Sequence, residues 1–179
     1  MKIKIFWFAL FVLPMCASAE NLTSCMRAWG LTESGNYSDA ISLYEACIKT
    51  GDLSNASLAR TYRNIGITYR RGRQPLKAVD AYNKAIALHP DDVVDDYINR
   101  ANAYDEAGKI DAAMADYSNA LQLRPDFGEI YYNRGITYEH LHMLDEAKAD
   151  FVAAYEHGLR TQLLYERFVV YGLASRWQQ

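Results

Sequence analysis

Proline and glycine are scarce in this chain of 179 residues, which has four prolines and ten glycines. Few positions therefore break a helix, and long runs of Ala, Leu, Tyr, Arg and Glu favour helix over strand. A strong charge of either sign is also missing, because 19 basic and 22 acidic residues leave a net charge of −3. That balance argues against a nucleic-acid-binding protein that relies on bulk positive charge.

Catalytic motifs are missing as well. The chain has no glycine-rich phosphate loop and no G-x-S-x-G nucleophile elbow. His140 and His142 are two residues apart, so a helix would place them on different faces, where they make a poor metal pair. We therefore predict that the protein is not an enzyme and uses neither a cofactor nor a metal.

Long hydrophobic runs are absent apart from one near the start. Lys2 and Lys4 precede nine apolar residues from Ile5 to Leu13, and Ala17-Ser18-Ala19 follows. Nine residues are too few to cross a bilayer, which takes about 20. The pattern predicts a cleavable signal peptide over residues 1–19, no membrane span after cleavage, and a periplasmic or secreted protein. An uncleaved anchor is one alternative, and lipidation of Cys16 is another, although Met15 is larger than the residue that usually precedes a lipidated cysteine.

What the sequence does contain is a repeat of 34 to 35 residues. Small, aromatic and alanine positions recur in register over three units, which is far beyond chance. The recurring sets are Gly66, Ala101 and Gly135; Tyr69, Tyr104 and Tyr138; Ala78, Ala113 and Ala147; Tyr82, Tyr117 and Phe151; and Ala85, Ala120 and Ala154.

This pattern resembles the tetratricopeptide repeat, whose signature of bulky, small, aromatic, alanine and proline positions is carried by Tyr62, Gly66, Tyr69, Ala78, Tyr82, Ala85 and Pro90. The resemblance implies an all-α, right-handed α-solenoid of about four helix-turn-helix units with a capping helix. The predicted boundaries are 20–58 for a degenerate first unit and its loop, 59–92, 94–127 and 128–161 for three further units, and 162–179 for the cap.

Local signals fill in this outline. Gly66 and Ala78 are small enough to let two helices approach closely. Ser38, Asp111 and Asp145 lie where a side-chain oxygen caps a second helix. In the final helix, predicted over Gln162–Ser175, the spacing buries Leu164, Phe168, Tyr171 and Ala174 and leaves Leu173 exposed on the opposite side.

Two cysteines, Cys25 and Cys47, remain after the predicted signal peptide. An even count in an oxidising compartment indicates one disulfide. Since the resemblance places the two residues in antiparallel helices of the first unit, such a bond would stabilise the weakest unit. The alternative is a pair of free, buried thiols.

The same resemblance implies a concave groove, lined by the first helix of each unit, that receives a peptide or a partner helix. We expect four arginines in the second unit to attract an acidic segment; the alternative is a solvated face where they pair with nearby acids. Recurring asparagines are placed to bond a peptide backbone. The candidate groove residues are Arg60, Arg63, Asn64, Arg70, Arg71, Asn99, Asn102, Tyr132 and Asn133.

Together these features favour a non-enzymatic adaptor of the bacterial cell envelope that binds a protein or peptide in its groove. An alternative is a self-assembling protein without a groove ligand, in which Tyr165, Phe168, Tyr171 and Trp177 of the last helix dock on a neighbouring copy. A third possibility is an accessory subunit of an envelope enzyme.

Overall fold

The structure, a computed structural model, describes residues 17–51, 53–89 and 93–178. Within these ranges it is all-α, which confirms the predicted fold class. Residues 1–16, including most of the predicted signal peptide and Cys16, lie outside the described residues, as does Pro90. The helices are α1 (Ala17–Glu33), α2 (Tyr37–Lys49), α3 (Asn55–Arg71), α4 (Pro75–Leu88), α5 (Val94–Glu106), α6 (Ile110–Leu123), α7 (Gly128–His140), α8 (Leu144–Glu156), α9 (Gln162–Val170) and a 3₁₀ turn (Ala174–Gln178).

Helices α1 to α8 form four successive helix-turn-helix units. The loop between the first two units is shorter than the sequence suggests, because α3 begins at Asn55 rather than near residue 59. Ser54 precedes it in an extended conformation, and its hydroxyl accepts a hydrogen bond from the backbone N–H of Ser57 at 3.2 Å. This cap stabilises an early helix start.

Close approach within each unit depends on a small residue opposite an aromatic ring. A Cβ added to Gly66 would lie 2.5 Å from the Tyr82 ring, and one added to Gly135 would lie 2.9 Å from the Phe151 ring. Both distances are shorter than van der Waals contact. The prediction that small residues here permit helix contact is therefore confirmed.

The core runs along the chain from one unit to the next. One cluster joins Tyr44 of the first unit to Ile65 and Ala81 of the second. Another joins Tyr117 of the third unit to Ile130 of the fourth. Each unit thus buries its apolar surface against its neighbour in the chain, as in other repeat proteins.

The C-terminal cap differs from the single helix that the sequence suggests. Helix α9 ends at Val170, and Gly172, with a φ of 68°, turns the chain back. This turn brings Leu173 onto the core with 9% of its surface exposed, so the prediction that Leu173 is exposed is wrong. Trp177 then packs against Tyr155 and Phe168, with ring centroids 5.1 and 5.3 Å apart.

The predicted caps of three second helices are also wrong. The residues that precede α2, α6 and α8 are Asn36, Lys109 and Met143, and none of them makes a side-chain capping bond. Asp111 and Asp145 lie inside the first turn instead, as does Ser38. There the two carboxylates interact favourably with the positive end of the helix dipole.

Candidate partner-binding face

Cys25 of α1 and Cys47 of α2 are joined in a disulfide, with their Cα atoms 5.9 Å apart. Cys47 is buried with 1% of its surface exposed, and Cys25 is half-buried. The bond ties together the two helices of the first unit. Its sulfur atoms also adjoin the next unit, where the Cys25 Sγ lies 3.9 Å from the Thr61 hydroxyl of α3.

The first helices α1, α3, α5 and α7 adjoin one another on one side of the protein, which we call the first-helix face. Ion pairs connect each of these helices to the next along the chain. The pairs are Glu33–Arg71 at 2.7 Å, Arg70–Glu106 at 3.3 Å, Asp105–His140 at 2.7 Å and, between α7 and α9, Glu139–Arg167 at 3.2 Å. The His140 contact is an ion pair only when the imidazole is protonated.

Of the two ion pairs that join units two and three in the described residues, the Arg63 pair is the more buried. Its guanidinium donates from Nε and Nη2 to the two carboxylate oxygens of Asp96, at 2.7 and 2.9 Å. The Asp96 side chain is 1% exposed and the Arg63 side chain 21% exposed. Such a bidentate pair, largely shielded from solvent, fixes the relative position of α3 and α5.

These contacts change the expectation that four arginines of the second unit form a patch that attracts an acidic segment. Arg63, Arg70 and Arg71 each pair with a carboxylate of a neighbouring first helix. The alternative interpretation, local pairing with acids, therefore describes three of the four arginines. Sequence periodicity missed this because the acids lie on other units, between 33 and 38 residues away.

Two of the predicted asparagines are occupied within the protein. The Asn102 amide donates to the Asn133 side-chain oxygen at 3.0 Å and accepts from the Tyr117 hydroxyl at 2.5 Å. Asn133 donates in turn to the Glu129 carbonyl at 2.7 Å. Asn64, Asn99 and Tyr132 lie half-buried on α3, α5 and α7.

The remaining arginine, Arg60, borders a cavity of about 360 Å³ between α1 and α3, which we call the α1–α3 pocket. It is exposed and forms no ion pair with any residue that the structure describes. Apolar and polar groups converge here. The lining residues are Cys25, Met26, Trp29, Leu53, Ser57, Arg60, Thr61 and Asn64.

Sequence reasoning found Arg60, Asn64 and Cys25 but missed Met26, Trp29 and Leu53. Met26 has 69% of its surface exposed, which is unusual for so apolar a side chain. The first unit follows the repeat pattern poorly, so the register gave no groove position for Met26 and Leu53, and Trp29 fell where related repeats carry a polar groove residue. A tryptophan in a unit that otherwise lacks the pattern was the available signal.

Metal clusters and membrane spans are both absent from the described ranges. Nowhere in residues 17–51, 53–89 and 93–178 do three or more His, Cys, Asp or Glu side chains come together in a way that could hold a metal ion. In the same ranges, no helix has the length and apolar character needed to cross a membrane.

Family profiles match most of the described chain. A tetratricopeptide repeat profile matches residues 25–93, a TPR repeat profile matches residues 101–141, and a second tetratricopeptide repeat profile matches residues 128–156. The matched segments include at least part of each of the four units that the structure shows.

Among curated proteins, the chain is similar to the small glutamine-rich tetratricopeptide repeat-containing protein 2 of Mycosarcoma maydis, with 40% identity over 58 residues. It is also similar to the DnaJ homolog subfamily C member 7 homolog of Schizosaccharomyces pombe, with 30% identity over 94 residues. These matches cover 32% and 52% of this chain but only 16% and 20% of the two relatives.

Solved structures share the architecture. MamA superimposes with a TM-score of 0.64 at 25% identity, over 79% of this chain and 80% of that one. YrrB, described as a TPR protein with an unusual peptide-binding site, gives a TM-score of 0.65 at 16% identity, over 84% and 75% of the two chains. The second likeness shows the fold alone.

Proposed function

Because the chain is a tetratricopeptide-repeat protein, we propose that it is an exported, non-enzymatic adaptor that holds a protein segment on its first-helix face. Stacked repeats of this type present an extended surface to a partner. The segment docks at the α1–α3 pocket, and the compartment is the periplasm or an equivalent secretory space. The cytoplasm is reducing and keeps most cysteines as free thiols. The Cys25–Cys47 disulfide therefore supports export to an oxidising compartment.

The observation that carries the proposal is the chemistry of the α1–α3 pocket. Met26 and Trp29 supply an apolar surface, and flexible methionines adapt to side chains of different shape. Arg60 supplies a cation beside that surface, and Asn64 supplies an amide. A segment with an apolar anchor side chain near a carboxylate satisfies all of these groups at once.

Elsewhere on the first-helix face, Arg63, Arg70 and Arg71 already have partners in the protein. A ligand there would have to displace an existing ion pair to gain a new one, so the net gain in affinity would be small. Binding strength is therefore concentrated at the N-terminal end of the face. We expect affinity to depend on apolar contact with Met26 and Trp29 more than on salt concentration.

Site-specific photo-crosslinking in the cells that make the protein tests this proposal. A photoreactive residue in place of Met26 should give one discrete adduct, and the same residue in place of exposed Leu123 on α6 should not. Arg60→Glu should abolish the Met26 adduct, whereas Lys109→Glu, the same charge change far from the pocket, should leave it. Identical adducts at both positions, or an adduct indifferent to Arg60→Glu, would refute the pocket.

Export is tested separately. The proposed cleavage follows Ala19, so the mature protein should begin at Glu20. Mass spectrometry of the protein from a periplasmic extract gives this terminus directly. A protein that keeps residues 1–19 would contradict the cleavage, and one recovered only in the cytoplasm would contradict export.

A second candidate function is self-assembly, although the residues differ from those expected. Phe168 is buried, and Tyr171 and Trp177 pack on the protein's own core, so these aromatic side chains are not free to dock on another copy. Tyr165 of the expected set remains at the surface with 36% exposed, and further apolar residues exposed on α9 favour the candidate: Leu163 at 59%, Val169 at 52% and Val170 at 70%. Light scattering should then show an oligomer that Leu163→Asp/Val170→Asp dissociates, and a monomer at all concentrations would rule it out.

A further inference from the structure

The third and fourth units each contain a half-buried arginine between two tyrosines. The Arg100 guanidinium lies 5.4 Å from the Tyr97 ring centroid and 5.9 Å from that of Tyr104, and it donates two bonds of 2.7 Å to Asp116. Arg134 repeats this arrangement with Tyr131 and Tyr138 at 5.6 and 5.9 Å. Its two bonds to Asp150 are 2.8 Å long. Each arginine thus fills the space between its two rings.

The second unit keeps the rings but not the ion pair. Tyr62 and Tyr69 occupy the positions of Tyr97 and Tyr104, whereas Ile65 stands in place of the arginine and Ala81 in place of the aspartate. Ile65 and Ala81 are 5% and 4% exposed. Because their side chains are shorter than the pair that they replace, the space between the rings is not filled.

A cavity of about 360 Å³ lies at this position, bounded by α2, α3 and α4. We call it the α2–α4 pocket. Tyr62, Ile65, Tyr69 and Ala81 line it together with Ile48 of α2. Its volume is at the small end of the range for ligand pockets, which suits side chains of an extended segment rather than a whole helix.

The rim of the α2–α4 pocket is positively charged on balance. Lys49, Lys77 and Lys84 surround it, against Glu45 and Asp80. Two of these lysines lie over the walls: the Lys84 Nζ is 5.1 Å from the Tyr62 ring centroid, and the Lys77 Nζ is 5.5 Å from that of Tyr69. The two ring faces therefore already carry cations, while Ala81 stands at the position where Asp116 and Asp150 supply a carboxylate in the next two units, and the carboxylates of Glu45 and Asp80 lie at the rim.

We infer that the α2–α4 pocket is a second binding site, which accepts an apolar side chain of a partner protein together with an adjacent carboxylate. The apolar side chain packs on Ile65 and Ala81 between the two tyrosine rings. The carboxylate lies between Lys77 and Lys84, where it replaces the aspartate that the other units provide. This site is formed by different residues from the α1–α3 pocket, so it does not depend on the proposed function.

A peptide titration followed by amide NMR tests the site on the full-length mature protein. The probe is acetyl-Gly-Ser-Asp-Leu-Phe with a free C-terminal carboxylate, and the control is acetyl-Gly-Ser-Lys-Leu-Phe amide. The probe should shift the amides of Tyr62, Ile65, Tyr69 and Ala81, and the control peptide should not. No shifts at these amides at millimolar probe, or shifts confined to Met26, Trp29 and Arg60, would overturn the inference.

The repeat itself supplies the matched variant. Ile65→Arg/Ala81→Asp rebuilds in the second unit the ion pair that the third and fourth units contain, so it fills the pocket and should abolish the shifts. If that variant fails to fold, Lys77→Glu/Lys84→Glu changes only exposed rim residues and should weaken binding about tenfold, since two exposed ion pairs become repulsive.

Two further outcomes distinguish a peptide in the α2–α4 pocket from a peptide bound elsewhere and from a second copy of the chain. Arg60→Glu disrupts the α1–α3 pocket alone, so it should leave the shifts at Ile65 and Ala81 unchanged; their loss would place the peptide on the first-helix face. Shifts of the same amides that grow with protein concentration and without peptide would mean that a second copy occupies the α2–α4 pocket, which would also overturn the inference.

Discussion

At the scale of single residues, similar arginines have very different surroundings. Arg63 pairs with an aspartate that is 1% exposed, while Arg71 pairs with Glu33, whose side chain is 50% exposed. Removing one partner of a buried pair leaves an uncompensated charge, whereas exposed pairs contribute little. The environment of each arginine, rather than the count of ion pairs, therefore determines its contribution to stability.

Arg63→Met should lower the free energy of unfolding by about 3 kcal/mol, because it leaves the Asp96 carboxylate buried without this partner. The matched change Arg71→Met should lower it by less than about 1 kcal/mol. Urea unfolding followed by circular dichroism measures both values. Equal losses in the two variants would mean that Asp96 is adequately solvated without Arg63.

Buried tyrosines make stability depend on alkaline pH. Burial raises the pKa of Tyr82 and of Tyr117 well above the ordinary value for tyrosine. Above pH about 10 the unfolded chain loses protons that these two groups keep in the folded protein. The unfolded state then binds fewer protons, so stability must fall as pH rises.

We predict a decline of about 1.4 kcal/mol per pH unit for each of these tyrosines above pH about 10. Tyr82→Phe should remove the contribution of one tyrosine to this slope. Phenylalanine fits at this position because Phe151 holds it in the fourth unit. Urea unfolding at several alkaline pH values measures the slope. A slope that Tyr82→Phe leaves unchanged would contradict the burial of this hydroxyl in the folded protein.

At the scale of helices, the sequence predicted well which two helices pack together within each unit. Gly66 and Tyr82 were identified by their recurrence, and their contact sets the distance between α3 and α4. The third unit has Ala101 at the same position as Gly66, so a methyl group there is compatible with the fold when the helices are spaced for it.

Gly66→Ala should cost about 1–3 kcal/mol, because the new Cβ would lie 2.5 Å from a ring that is itself buried. Gly30→Ala, at an exposed position of α1, is the control, since an added Cβ there has no neighbour within 4 Å. It should gain about 0.5–1 kcal/mol from helix propensity alone. Thermal unfolding of the two variants should therefore shift in opposite directions, and a shared direction would contradict the contact.

Other features of the helices could not be predicted from local sequence. Leu173 was assigned to the exposed side of a continuous helix, but the chain turns at Gly172 and buries it. The ion pairs of Arg63 and Arg70 join residues of different units. Periodicity reports which face of a helix a residue occupies, but it does not report which acid from another unit reaches that face.

At the scale of the whole molecule, each unit contacts mainly its neighbours, and the disulfide lies in the first unit alone. Loss of a crosslink between residues 22 apart costs about 3 kcal/mol in the chain-entropy account. In a linear array this cost should stay local rather than spread over the molecule.

Cys25→Ser/Cys47→Ser should therefore lower hydrogen-exchange protection in α1 and α2 while leaving α5 to α8 nearly unchanged. Reduction of the wild-type disulfide should reproduce this pattern, which controls for the serine substitutions. A uniform loss of protection along the chain would show that the four units unfold as one cooperative body.

The ion pairs between successive first helices have a mechanical consequence. Each pair links one helix to the next across a single helix–helix contact, which acts as a joint. None of these four pairs spans two such joints. The molecule then bends like a set of springs in series, in which the compliances of the joints add. A bulky partner would be accommodated by a small opening between every two successive helices rather than by one large hinge. Weakening a single ion pair would raise the flexibility of the whole molecule only by the contribution of that one contact.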